Sequence, residues 1–384
     1  MTYTSNLNVC SIVEEKDCTG CSACMNICNH AAIQMVENEI GHILPAIDTE
    51  KCVDCSLCKK VCPSLNNKGL FKPIVKTYAA WAKDSEEHKT STSGGVSSVL
   101  SRYVIKAGGV VYGCTCQRGC IIEHIRVEKV EELWRLKGSK YVQSNINNSY
   151  RKAEQDLKNG RIVLFTGTPC QIAGFKSFLR KDYSNLYTAD IVCHGVPSQR
   201  LLFDHVESLG FKTIDIENVC FREEAGYYLT LKIDNKIVYR KNDLHDLYYS
   251  GFNDSLFSRK SCITCKYAQS NRSSDITMGD FHKLGRTITF DVQLEGNVSL
   301  LTVNSERGAT ILEEVRADFQ LYERTFDEAL SGNPQLRMPS VRKGDYENFV
   351  SLYTKFGYKM AALWSLRLRL LKNIILTIIY KIKI

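Results

Sequence analysis

The sequence predicts a fold in two parts, a small α+β module over residues 1–66 and a larger mixed α/β body behind it. Three observations carry that prediction. Cysteines recur at fixed spacing in two runs, Cys18, Cys21, Cys24, Cys28 and Cys52, Cys55, Cys58, Cys62. Beyond residue 74, short β-branched runs alternate with stretches of helical apolar spacing, as in layered α/β folds. Two further cysteines, Cys170 and Cys193, stand at the ends of two of those β-branched runs.

Each cysteine run reads C-x2-C-x2-C-x3-C, the spacing of bacterial two-cluster ferredoxins. Thiolates three residues apart let a tight loop wrap three corners of a 4Fe-4S cubane, and the fourth ligand crosses over from the other run. The expected ligand sets are therefore Cys18, Cys21, Cys24 with Cys62, and Cys52, Cys55, Cys58 with Cys28. Zinc is the weaker reading, because its sites use paired cysteines and not a third at the same spacing. One corner departs from the pattern: Cys62 is followed by Pro63, but Cys28 is followed by Asn29.

Residues 32–48 read as a β-hairpin turning at 39–42, which would pair the two cluster loops, and 66–73 read as a linker. Strands are expected at 75–81, 110–112, 161–165, 186–192, 275–278 and 298–303, with strands also dominating 214–239. Small residues at 90–95 precede an expected helix at 96–106, and a second helix is expected at 308–318. The expected regions are 1–66, 74–210, 211–345 and a basic amphipathic tail at 355–384.

A chain of 384 residues has room for the module and one or two larger domains. Its 17 cysteines, with no charged and apolar leader in front of them, argue against secretion and disulfides and predict reduced thiols in the cytoplasm. The net charge of +8 is uneven: the first 66 residues hold eight acidic side chains against four basic ones. The basic excess is dispersed through the middle and gathers at the C-terminus, which argues against a nucleic-acid interface. From Lys355 onward there are seven Lys or Arg and no acid, yet the longest uncharged run, 373–380, falls far short of the about 20 residues that span a bilayer. The tail is expected either to lie at the inner face of a membrane or to dock on the protein or a partner.

Cys170 and Cys193 would sit at the carboxyl ends of strands, where open α/β sheets gather their ligands. With the C-x2-C pair Cys262 and Cys265 they make four candidate ligands for a third 4Fe-4S cluster. The competing reading makes Cys170 and Cys193 small buried apolar residues and leaves the pair to zinc or to nothing. Cys114, Cys116 and Cys120 fit no standard cluster spacing, and Cys10 and Cys220 read as plain thiols.

Six segments occur in order: Thr92-Ser93-Gly94-Gly95, residues 138–144 with Gly138, Ser139, Lys140 and Tyr141, Gly167-Thr168-Pro169-Cys170-Gln171-Ile172, Cys193-His194-Gly195-Val196-Pro197-Ser198, the Cys262 and Cys265 pair, and residues 272–281. Through them the chain, over roughly residues 15–320, resembles the coenzyme F420 hydrogenase/dehydrogenase beta-subunit family in the form with an N-terminal two-cluster module. The resemblance implies an N-terminal bacterial-type ferredoxin module followed by a mixed α/β flavin and iron-sulfur domain. It implies an oxidoreductase that holds FAD, passes electrons between clusters and flavin, and in some members uses coenzyme F420.

On that analogy Ser93, Gly94, Gly95, Ser139, Lys140, Gly167 and Thr168 are the candidate flavin-site residues. A helix N-terminus after Gly95 would receive phosphate or flavin, or be an ordinary cap. Lys140 would stabilise reduced anionic flavin, or be a surface lysine, and His194 would deliver a proton or merely cap its loop. The Asp280-Phe281-His282 segment has the same two readings, and in the plainer one Asp275 and Asp280 simply close turns. The expected partners are ferredoxin or another redox protein and an organic small-molecule acceptor. Coenzyme F420 as substrate, a non-catalytic electron-transfer role, and a role in polysaccharide or envelope biosynthesis are the alternatives.

Overall fold

The structure is a computed structural model that describes residues 7–9, 12–224, 226–294 and 296–382. Cys10 lies outside the described residues. The N-terminal module comprises β1 (Leu7–Val9), α1 (Ala23–Ile27), β2 (Ile33–Glu37), β3 (Ile43–Asp48) and α2 (Leu57–Lys60), with its strands in the order β1-β3-β2. The expected hairpin is β2 against β3, antiparallel, with Ile33 opposite Ile47.

The two cysteine loops are copies in backbone as well as in sequence. Gly20 and Asp54, at equivalent positions 34 residues apart, are both left-handed (φ 64° and 51°), and so are Ser22 and Ser56 (φ 62° and 59°). Equivalent hydrogen bonds also recur, Cys18 N to Glu14 O and Cys52 N to Asp48 O at 3.0 Å, then Cys28 N to Met25 O and Cys62 N to Lys59 O at 3.3 Å.

The body runs β4 (Lys76–Ala82), α3 (Ser85–Lys89), α4 (Val96–Lys106), β5 (Val110–Gln117), β6 (Ile121–Val127), α5 (Ser149–Lys158), β7 (Val163–Gly167), α6 (Pro169–Leu179), β8 (Leu186–Ile191) and α7 (Gln199–Ser208). It continues with β9 (Asn218–Cys220), β10 (Tyr228–Ile233), β11 (Lys236–Asn242), α8 (Leu247–Asn253), α9 (Lys260–Ile263), β12 (Ile276–Asp280), β13 (Ser299–Val303), α10 (Glu306–Glu314), β14 (Phe319–Arg324), α11 (Phe326–Gly332) and α12 (Tyr346–Ile382). Eight strands form one mixed sheet in the order β14-β4-β13-β12-β8-β7-β5-β6, and β9 to β11 form a separate three-stranded sheet.

The centre of the large sheet, β12-β8-β7-β5, is parallel, and its flanks are antiparallel. It takes strands from both sides of residue 210, so the expected regions 74–210 and 211–345 share one sheet. The expected helix at 308–318 is shorter and starts earlier, because Ser305 caps Gly308 N and the chain tightens into a 3-10 turn at Arg316–Asp318.

Leu100, Val104, Leu164, Leu301 and Ile311 pack α4 and α10 on one face of the sheet. Phe165, Phe175, Phe178 and Tyr150 pack α5 and α6 on the other, and this second core continues into the module through Cys21, Ile27 and Val61. Phe221, Tyr248, Phe257, Phe349 and Leu366 form a third core that unites the small sheet with α7, α8 and α12.

Module and body are joined by Arg259, which is 2% exposed. Its guanidinium donates to Cys18 O at 3.3 Å, to Ile43 O at 2.8 Å and to Gln143 Oε1 at 2.8 and 3.1 Å. Gln143 in turn donates to Thr19 O at 2.9 Å. Substituting Arg259→Ala strands several buried acceptors, each costing about 1–3 kcal/mol. The expected outcome in chemical denaturation is a loss of about 3 kcal/mol or more, with the module becoming protease-sensitive before the body. Coincident, unshifted unfolding of both parts would contradict this role.

Candidate redox centres and cleft

The first cysteine set is brought together as the crossed pattern requires. Cys18, Cys21, Cys24 and Cys62 line one cavity with Ile12, Met35, Pro45 and Pro63. The charges felt by Cys24 are those of Cys21, Cys18 and Cys62, so the fourth member comes from the other run. Backbone N–H groups of Gly20, Ala23, Met25 and Ser64 serve Cys18, Cys21, Cys24 and Cys62 respectively, a donor shell suited to anionic sulfur. Burial pushes the Cys21 thiol up to about 12, so it is neutral until a cation displaces its proton.

The second set is closer to solvent. Cys55 is exposed, Cys52, Cys58 and Cys28 are half-buried, and Cys52 and Cys55 are the charges that bear on Cys58. Cys28 and Cys58 pack on the same small apolar core as Ile12 and Ile33.

Cys170, Cys193, Cys262 and Cys265 line a single cavity, although they arise from α6, the loop after β8, and α9 with its following loop. The charges of Cys265, Cys193 and Cys262 all act on Cys170. Backbone N–H groups serve three of the thiols, Gly195 N for Cys193, Val196 N for Cys262, and Tyr267 N and Ala268 N for Cys265, while Cys170 Sγ lies 3.2 Å from Thr168 Oγ1. The Tyr267 hydroxyl is buried against Cys21 and Cys170. Burial raises Cys193 to about 12 and Cys262 to about 11. Among the described residues no three His, Cys, Asp or Glu side chains converge tightly enough to hold one metal ion. A cubane spreads its thiolates over four corners, so a cluster asks for a wider set than a single ion does.

The three cysteine sets adjoin. Thr19 lines both the first cavity and the third, and Ser261, next to Cys262, donates to Cys18 O at 2.9 Å. Cys193, Thr168, Gly195 and Val196 line both the third cavity and an open cleft of about 450 Å³. Cleft-lining residues include Cys114, Thr166, Ile191 and Asp280, which fall in the carboxyl-terminal halves of β5, β7, β8 and β12, the end at which α/β sheets place ligands.

Most of the expected flavin-site residues line this cleft: Ser93, Gly95, Ser139, Lys140, Gly167 and Thr168, together with His194. Gly94 does not. It sits behind the wall, where its N–H donates to Ser299 Oγ at 2.8 Å and an added Cβ would lie 2.2 Å from Ala80 O. Gly95 is the left-handed N-cap of α4 (φ 85°) and supplies no side chain, so first-turn N–H groups beside Val96, Ser97 and Ser98 remain for an anion.

Lys140 is no surface lysine. Its ammonium donates to Lys137 O at 2.7 Å, Cys114 O at 3.0 Å and Leu136 O at 3.1 Å, so all three donors are used within the wall. Burial lowers its pKa, opposed by Cys114, Cys116 and Cys220, which surround it. Those thiols thus belong to the lysine's setting, and Cys120 is a buried core residue. Thr168 and Gln171 form a capping box on α6, so part of that motif serves the helix and not a ligand. Asp275 accepts from Thr188 Oγ1 of β8 at 2.6 Å and from Ser305 Oγ, the cap of α10, at 2.7 Å, long-range bonds in place of the expected turn closure.

Asp280 does more than close a turn. It pairs with Arg222 in the cleft, and Arg222 lies 4.9 Å from the Tyr227 ring centroid. Arg222, Tyr227, Tyr249, Phe252 and His124 are cleft residues that sequence reasoning missed. They carry no motif spacing and arrive from the loop between β9 and β10, from α8 and from β6.

Residues 160–329 match the family model for the C terminus of the coenzyme F420 hydrogenase/dehydrogenase beta subunit, and residues 17–66 match the 4Fe-4S dicluster domain. A chain of the F420-reducing [NiFe] hydrogenase complex from Methanosarcina barkeri is similar at 15% identity and a TM-score of 0.43, over 76% of this chain and 91% of that one. No curated protein matches the chain significantly.

The histidines in the cleft wall give a pH signature. Burial lowers His124 to about 4, and its ring is bound to Thr166 O at 2.8 Å and Ser144 Oγ at 3.0 Å. The unfolded chain takes up this proton near pH 6.5 while the folded one does not, so stability present above about pH 6.5 is lost as the pH falls toward about 4. His124 accounts for about 3 kcal/mol of that loss. Denaturation midpoints measured across this window should fall steeply in the parent and less in His124→Gln.

Proposed function

The chain matches the C-terminal region of the coenzyme F420 hydrogenase/dehydrogenase beta subunit behind a 4Fe-4S dicluster domain, and from that premise we propose an iron-sulfur flavoprotein oxidoreductase. It would exchange electrons with a ferredoxin-like partner on one side and an organic acceptor on the other. The observation that carries this reading is the continuity of thiol-lined cavities from the first cysteine set, through the third, to the cleft. Bound 4Fe-4S clusters would supply one-electron chemistry, and FAD would supply the conversion between single electrons and electron pairs.

Cys18, Cys21, Cys24 and Cys62 would hold one cluster, Cys52, Cys55, Cys58 and Cys28 a second, and Cys170, Cys193, Cys262 and Cys265 a third. Ser93, Gly95, Ser139, Gly167 and Thr168 would line the flavin, with the α4 N-terminus toward its phosphates. Lys140 contributes positive charge and rigidity to the wall, its donors being fixed on three carbonyls. His194 is held neutral by burial and lies in the field of Asp280 and His282, so it can accept a proton at the cleft and return it. Arg222 presents a cation to an anionic acceptor, at the cost of loosening its pair with Asp280.

The family match favours coenzyme F420 as a second reading of the acceptor; reduction of added F420, followed by its absorbance, separates the two. The primary test is iron, sulfide and flavin quantitation on anaerobically purified protein. Three clusters require about twelve irons, with one FAD. Cys193→Ser with Cys265→Ser should lower iron to about eight and leave the module's clusters intact. About eight irons and no flavin in the parent protein would overturn the assignment.

A further inference from the structure

The helix α12 has two opposed faces. Beyond its kink at Gly357 (φ 75°), one face is fixed to the body. Ala361, Ala362 and Leu366 are buried there, Asn373 Nδ2 donates to Leu244 O at 2.6 Å, Thr377 Oγ1 meets His245 Nε2 at 3.0 Å, and Arg369 pairs with Asp254. These directional bonds prevent the helix from rolling its other face inward.

That other face is apolar and uncovered. Met360, Trp364, Leu368, Leu371, Ile375 and Ile378 recur at three- and four-residue spacing, with Trp364 57% and Leu368 74% exposed. At about 100° per residue, Arg367 and Lys372 fall on opposite borders of the stripe. The Arg367 guanidinium lies 4.8 Å from the Trp364 ring centroid. Between Asn348 and Ile384 there is no Asp or Glu.

We infer that this face docks on an anionic lipid surface. Apolar residues bordered by basic side chains, with an interfacial tryptophan, match a helix lying in the headgroup plane. A second copy of the stripe is disfavoured by the same charges, because two such helices would bring their basic residues together with no acid on either to pair with them. Spanning is excluded for this helix, since no helix among the described residues is long and apolar enough to cross a membrane. The docked side of α12 grips residues 244, 245 and 254, and the intervening Tyr249, Phe252 and Asn253 line the cleft. A surface-bound α12 therefore holds one wall of the cleft next to the bilayer.

Co-sedimentation of the full-length holoprotein tests this with phosphatidylcholine vesicles made with and without phosphatidylglycerol. The parent should bind the anionic vesicles and be released as salt is raised. Leu368→Glu with Leu371→Glu, and separately Arg367→Glu with Lys372→Glu, should each weaken binding by at least about tenfold. All four side chains are exposed, so helicity and iron content should be unchanged and serve as the folding control. Equal binding to neutral vesicles would overturn the inference. So would absence of binding to the anionic vesicles, and a dimer in light scattering that Leu368→Glu dissociates would then make the face a protein interface.

Discussion

At the junction of module and body, the guanidinium of Arg259 donates to carbonyls of the first cysteine loop and of β3 while it grips Gln143 in the body. The rest of the arrangement depends on this contact. Gly20, left-handed in the cysteine loop, has no Cβ, and one placed there would lie 2.5 Å from the same guanidinium. Arg259 also begins the segment that carries Cys262 and Cys265, and its own N–H donates to Val196 O at 3.2 Å, beside the Cys193 loop. One buried cation thereby fixes the first cysteine set relative to the third. Such a group is costly to bury unless every donor is used, and here the donors meet carbonyl and amide oxygens.

The cleft follows from sheet topology. Four parallel strands end on the same side, so the residues after β7, β8 and β12 converge without being near in sequence. Tight turns at these strand ends expose backbone donors, which is why Cys193 and Cys262 find N–H groups at Gly195 and Val196. The same loops face the cleft, and Cys193 is common to both cavities. The third thiol set and the cleft thus share a wall.

Legibility in the sequence follows range. The two cysteine runs were readable because their spacing is local, and their common left-handed turns at Ser22 and Ser56 express the repeat in backbone form. The third set was readable only as four thiols at strand ends and a pair, since their convergence depends on sheet order. The opposite wall of the cleft was not readable: Arg222, Tyr227 and the α8 aromatics come from an inserted sheet and helix whose docking is set by a distant core. Lys140 was singled out by its motif, but its three carbonyl partners, and hence its role in the wall, emerge only from the fold. Likewise α12 reads as amphipathic in sequence, while which face is covered is decided by Asn373, Thr377 and Arg369.

The central claim is that the third cysteine set connects the module to the cleft. The most direct measurement is anaerobic stopped-flow reduction of bound flavin, driven either by a reduced ferredoxin or by a small diffusible reductant, in the parent and in Cys265→Ser. The account predicts that the substitution slows reduction by the protein donor at least about a hundredfold, as expected when one relay centre is lost, while the diffusible reductant still reaches the open cleft at the parent rate. Equal rates with the protein donor in parent and variant would contradict it.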